Sequence, residues 1–146
     1  MALTAPPNDS SAGNGTRSSK PLTVLVVDDQ IEMRTLWTNI LTERHADVRI
    51  VEAADGVEAL QRANEACPDL VLLDLMMPHM SGAETAARLK YNPKTQRAAI
   101  IVITGLPLSR DEIKMLGGDG VVMKPFTSGE LVAEVARVVR ARHPTP

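Results

Sequence analysis

Bulky apolar residues come along this chain in short runs separated by stretches of helical period. The runs are Leu22 to Val27, Val48 to Ala53, Leu70 to Leu73, Ile100 to Ile103 and Val121 to Met123, each of strand length. Between them the pattern predicts helices over 30–43, 56–66, 81–90 and 110–116, with a last one over 128–142. On the first helix Met33, Leu36, Trp37, Ile40 and Leu41 make one apolar stripe, and on the last Leu131, Val135 and Val138 make another. Such alternation calls for parallel strands joined by helical crossovers. Only with helices on both faces do runs like Leu70-Val71-Leu72-Leu73 escape water completely. The fold class predicted is therefore a doubly wound α/β sandwich. The second strand interleaves Arg49 and Glu52 with its apolar residues, which suits an edge. Ser109 and Glu112 form a capping-box pattern that opens a short fourth helix, and Gly117-Gly118 end it. Trp37 reads as core or part-buried surface rather than a platform for a nucleotide base.

Composition narrows the class. A chain of 146 residues builds one domain with a buried core and is too short for two ordinary ones. Residues 1–20 are dominated by Ser, Thr, Asn, Gly, Pro and Ala and read as a flexible tail, residues 21–142 as the domain, and residues 143–146 as a short C-terminal tail. With 18 acidic and 16 basic residues the net charge is -2, which exerts no general pull on nucleic acid or an anionic membrane. No run approaches the roughly 18 apolar residues of a membrane span, and no secretory core opens the chain. The expected location is the cytoplasm. The one cysteine, Cys67, has no internal partner and is expected to be a buried, inert thiol in a reducing compartment.

In open parallel sheets ligands bind beyond the carboxyl ends of the strands. The residues that follow each apolar run are Asp28-Asp29 after the first, Asp74 after the third, Thr104 after the fourth and Lys124-Pro125 after the fifth. Three carboxylates on one rim repel one another unless a cation lies between them, and hard oxygen ligands with room for water suit Mg²⁺. A carboxylate can also attack phosphorus, with a metal, an ammonium and a hydroxyl stabilising the transferring phosphoryl charge. Asp74 is the central candidate for that nucleophile. Singly, each residue has a bland role as a helix cap, a strand end or a solvated charge. Their joint placement at the ends of four inner strands is what points to chemistry.

The motifs Val24-Leu25-Val26-Val27-Asp28-Asp29, Leu72-Leu73-Asp74-Leu75-Met76-Met77-Pro78, Thr104 and Lys124-Pro125-Phe126, in this order, resemble those of response-regulator receiver domains over about residues 22–142. The resemblance implies a flavodoxin-like five-stranded sheet of order 2-1-3-4-5. It implies Asp74 as phosphoacceptor, Asp29, Asp74 and the Met76 backbone carbonyl as direct Mg²⁺ ligands, and Asp28 as a ligand through water. Lys124 is expected to contact a phosphoryl oxygen, Thr104 to swing toward the phosphate, and the Lys124–Pro125 bond to be cis. Two departures stand out. Val121, three positions before Lys124, occupies a place where the family often carries an aromatic switch. The 20 positions from Thr104 to Lys124 are also few for the family and include Pro107, so a truncated or displaced fourth helix is expected.

By the same resemblance the chain is a single-domain response regulator of the chemotaxis-regulator type. It catalyses only its own phosphorylation and dephosphorylation. It takes the phosphoryl group from a histidine kinase or histidine phosphotransfer protein and acts on a downstream target protein, with no direct nucleic-acid contact and no membrane insertion. The first helix would dock the donor, and the face of the fourth helix, fifth strand and fifth helix the target. Apolar Met76 and Leu106, two positions beyond Asp74 and Thr104, predict slow self-dephosphorylation. His79 reads as a loop residue. Four other classes compare with this pattern. A haloacid-dehalogenase-type phosphatase lacks its Asp-x-Asp here, since the chain has Asp28-Asp29-Gln30. Nucleotide folds lack their glycine-rich turn or Lys-Ser/Thr loop. The cyclase-like tetrapeptide Gly117-Gly118-Asp119-Gly120 ends a helix. A phosphorylation-independent interaction module stays open until phosphoryl transfer is tested.

Overall fold

Apolar alternation along the strands is resolved in a computed structural model that describes residues 21–142. The readings of residues 1–20 and 143–146 as tails lie outside the described residues. The elements are β1 (Leu22–Val27), α1 (Ile31–Arg44), β2 (Val48–Ala53), α2 (Gly56–Ala66), β3 (Leu70–Asp74), α3 (Gly82–Tyr91), β4 (Ala99–Thr104), α4 (Arg110–Met115), β5 (Gly120–Met123) and α5 (Ser128–Arg142). All strand pairs are parallel and the order is β2-β1-β3-β4-β5. This is the doubly wound sheet expected. The order implied by the resemblance is the one found, and it makes β5 a second edge, so the four site-bearing strands are three inner ones and an edge rather than four inner strands. The even apolar spacing of a short strand does not distinguish the two positions.

Successive residues of each inner strand feed opposite cores, as the two-residue period of a strand demands. Val24, Val26, Leu70, Leu72, Ile101 and Ile103 pack with Trp37, Ile40 and Leu41 of α1 and Leu131, Val135 and Val138 of α5. Leu25, Val27, Val71, Leu73, Ile100 and Val102 pack with Ala59 and Ala63 of α2, Ala86 and Leu89 of α3, and Ile113 of α4. Alanines on the second side let the helices approach the sheet closely.

Local chemistry sets the helix ends. Asp55 and Ser81 accept the backbone N–H of Glu58 and Glu84, capping α2 and α3. Ser109 and Glu112 make the reciprocal capping box, and α4 is only 6 residues long, as the spacing predicted. Gly117 adopts a left-handed φ of 93° just past the α4 end, a conformation open to glycine at little cost.

Two further sequence expectations need correction. Cys67 is exposed, because it is the α2 C-cap with φ of 48° and its left-handed turn carries the thiol off the sheet. Leu36 is also exposed, since the buried α1 stripe runs through Trp37, Ile40 and Leu41 with Met33 packed beside it.

Candidate phosphoacceptor site at the sheet's carboxyl edge

Asp28 directly follows the last residue of β1, Asp74 is the last residue of β3, and Thr104 is the last of β4. All three are buried, with Asp74 only 3% exposed. They cannot recede into the cores, because the preceding residues are locked into apolar packing on both faces. Asp29 lies on the open rim. Carboxylate oxygens of Asp28, Asp29 and Asp74 all lie within 4.8 Å of one another. Lys124 Nζ reaches over from the β5 end to 3.4 Å from Asp74 Oδ1 and 3.9 Å from Asp28 Oδ2. The structure thus brings together the side chains of Asp28, Asp29, Asp74 and Lys124, with Thr104 ending the neighbouring strand, and the Lys124–Pro125 bond is cis.

The loop geometry follows from a few backbone contacts. Asp28 Oδ1 accepts the Gln30 N–H at 2.7 Å, Asp74 Oδ1 that of Met76 at 3.3 Å, and Thr104 Oγ1 that of Leu106 at 3.0 Å. The Lys124 N–H donates to the Thr104 carbonyl at 2.8 Å, so the end of β5 is tied to that of β4. Gly82, at the start of α3, donates to the Leu75 carbonyl at 3.1 Å. A Cβ on Gly82 would overlap the Asp74 carbonyl and lie 2.6 Å from Leu75 Cα. A side chain there would push α3 off the loop that presents Asp74. Met76 and Leu106 flank the site as exposed apolar groups. His79 is an exposed loop residue with φ of 70°.

Electrostatically the site is short of positive charge. Burial, helped by the Asp74 charge and opposed by the Gln30 N–H and Lys124, pushes the Asp28 carboxyl up to about 6. Asp28 Oδ2 is buried with no hydrogen-bond partner among the described residues. An orphaned carboxylate oxygen beside two other carboxylates fits a hard divalent cation, and the all-oxygen donor set suits Mg²⁺.

One contributor escaped the sequence reading. Arg34 of α1 donates to the Asp28 carbonyl at 2.7 Å and to Glu52 Oε1 of β2 at 3.0 Å, pinning the end of β1. The signal available was a basic residue inside α1 opposite an acidic one in an otherwise apolar strand. Such pairs across elements are invisible until the register is known.

Comparisons with known proteins bear on the fold and the family. The family described as response regulator receiver domain matches residues 24–136. Hybrid signal transduction histidine kinase D of Dictyostelium discoideum is 36% identical over 123 residues, 83% of this chain and 8% of that protein. The phosphate regulon transcriptional regulatory protein PhoB of Escherichia coli is 33% identical over 123 residues, 83% of this chain and 53% of PhoB. This chain therefore spans about half the length of PhoB and a small part of the kinase. The solved structure of chemotaxis protein CheY4 from Vibrio cholerae superposes with a TM-score of 0.74 at 31% identity, covering 81% of this chain and 98% of CheY4. With the sheet order, the acidic rim and the match over most of its length, the chain belongs to the response regulator receiver domain family of two-component signalling.

Proposed function

We propose that this receiver domain accepts a phosphoryl group on Asp74, with Mg²⁺ bound by Asp28, Asp29, Asp74 and the Met76 backbone carbonyl. The observation that carries the reading is the Asp74 carboxylate itself, buried at the sheet edge with two carboxylates and an ammonium converging on it. When bound, the cation neutralises the rim and draws off charge from the phosphoryl oxygens. Asp74 supplies the attacking oxygen, forming a new P–O bond as the donor's bond to phosphorus breaks and its electrons leave with the imidazole or carboxylate. Lys124 then stabilises an equatorial phosphoryl oxygen. The Thr104 hydroxyl, now accepting the Leu106 N–H, turns to donate to another. Walls of Met76 and Leu106 offer no group to orient water.

The proposed donor is a histidine kinase or histidine phosphotransfer protein, and the output is phosphorylation-controlled contact with a target protein, both in the cytoplasm. Val121 has no ring to reorient. Switching is therefore assigned to the Gly105–Leu108 loop and the short α4. Chemical shifts of that loop with and without beryllofluoride test this, and unmoved loop resonances refute it.

The direct experiment exposes the protein to acetyl phosphate and Mg²⁺ and follows intact mass. One phosphoryl group gained, lost on chelation and absent in Asp74→Ala, supports the reading. No gain with any small donor or phosphotransfer protein replaces it with a phosphorylation-independent module.

A further inference from the structure

The phosphoacceptor reading leaves one feature of the site unused. Trp37, the chain's only tryptophan, is fully buried on α1 beneath Lys124. The Lys124 ammonium lies over its ring, 6.0 Å from the centroid. The ring also meets Phe126, two residues past Lys124, with centroids 6.4 Å apart and planes at 46°. Phe126 therefore steadies the ring from the same loop that carries the lysine.

Core packing calls for a large apolar ring here but not for an indole N–H. Trp37 Nε1 is buried with no acceptor among the described residues, a cost that phenylalanine or leucine at this place would avoid. What indole offers beyond these is the strongest aromatic attraction for a cation, enhanced where water is excluded.

The lysine has need of such a seat. Its four-carbon stem is flexible, and its carboxylate partners stand at 3.4 and 3.9 Å. Those two carboxylates are also the groups a divalent cation would engage, so metal binding weakens their hold on the ammonium just when phosphoryl transfer requires it. The ring quadrupole is not neutralised by a metal and keeps its attraction throughout.

We propose that Trp37 is a positioning residue for Lys124, its indole face holding the ammonium over the site once the carboxylates are taken up by the metal. The idea rests on Asp74 being the phosphoacceptor. Two readouts test it. In nuclear magnetic resonance spectra, Lys124 ε-methylene signals, assigned with Lys124→Met, should be displaced by the ring current in the wild type. They should be partly restored to ordinary positions in Trp37→Phe and fully in Trp37→Leu, in variants shown to be folded by thermal melts. The rate of phosphoryl gain from acetyl phosphate at saturating Mg²⁺ should fall roughly three- to tenfold in Trp37→Leu. Trp37→Phe should recover most of that loss, with Mg²⁺ affinity changing less than about twofold in either.

Lys124 signals that do not respond to Trp37→Leu, an unchanged rate, or equal loss in Trp37→Leu and Trp37→Phe would each overturn the positioning role while the phosphoacceptor reading stands. Absence of phosphoryl gain in the wild type sinks both, and the Lys124 signals then report only whether ring and ammonium touch.

Discussion

Asp28 is the residue on which burial and charge conflict most. Its carboxyl is raised from 3.8 to about 6, chiefly by desolvation. Between these values the native state holds a proton that the unfolded chain has released. The associated stability is complete below pH 3.8 and is lost as pH rises through about 6, by at most about 3 kcal/mol for a shift of this size. Metal-free protein should therefore lose stability over that interval. Asp28→Asn should be more stable than the wild type by about 1–3 kcal/mol at pH 7.5 in a chelator while binding Mg²⁺ more weakly. Urea denaturation across the pH range checks this, and a variant no more stable than the wild type would refute the burial argument. Met76 and Leu106 make a kinetic case at the same scale. Both are exposed apolar groups beside Asp74 and Thr104, and neither can hold an attacking water, so the acyl phosphate should persist. A polar pair, Met76→Asn with Leu106→Glu, should hasten loss by about tenfold or more, the low end of what a positioned polar group contributes. Decay of the mass-labelled form measures it.

Elements are joined to one another by a few polar ties that sequence patterns hint at only faintly. The strongest is Glu134 of α5, only 8% exposed. Its carboxylate accepts from the Val121 N–H of β5 at 2.9 Å, from Arg137 at 2.9 and 3.0 Å, and from Arg110 of α4 at 3.2 Å. Burial pushes this carboxyl up, but the bonds from Arg137, Val121 and Arg110 prevail and bring it down to about 2. The stability it supplies is present above 4.5 and lost as pH falls through about 2. Both arginines reach solvent in Glu134→Ala, so the main loss is the acceptor for an edge-strand N–H. A destabilisation of about 1–3 kcal/mol is expected at neutral pH, shrinking as pH is lowered below 4.5. Denaturation curves at several pH values test both size and sign. Helix α4, short and capped by Ser109 and Glu112, depends on this tie more than a longer helix would.

Across the whole molecule, a ligand confined to the native rim stabilises every part of the fold by mass action. Mg²⁺ at 100 times its dissociation constant should raise unfolding free energy by about 2.7 kcal/mol, and chelation should remove the gain. In Asp28→Asn with Asp29→Asn the dependence should be almost abolished. Thermal melts with and without Mg²⁺ decide this, and an equal Mg²⁺ effect in the double variant would place the cation elsewhere.

Much of this architecture was determined by the sequence alone, because strand and helix periods are local properties. Alternate residues of Val24–Val27, Leu70–Leu73 and Ile100–Ile103 had to face two cores, so the sandwich and all ten elements were legible within a residue or two. The polar residues ending the strands were legible for the same reason, since topology dictates where strand ends meet. Only the tertiary structure decided that Cys67 and Leu36 face water, and that Arg34 pairs with Glu52 and Glu134 with Val121. It alone set Trp37 under Lys124, a contact between residues 87 positions apart. Such choices depend on which surfaces remain uncovered and which distant groups come within a few ångströms, and no local pattern carries that information.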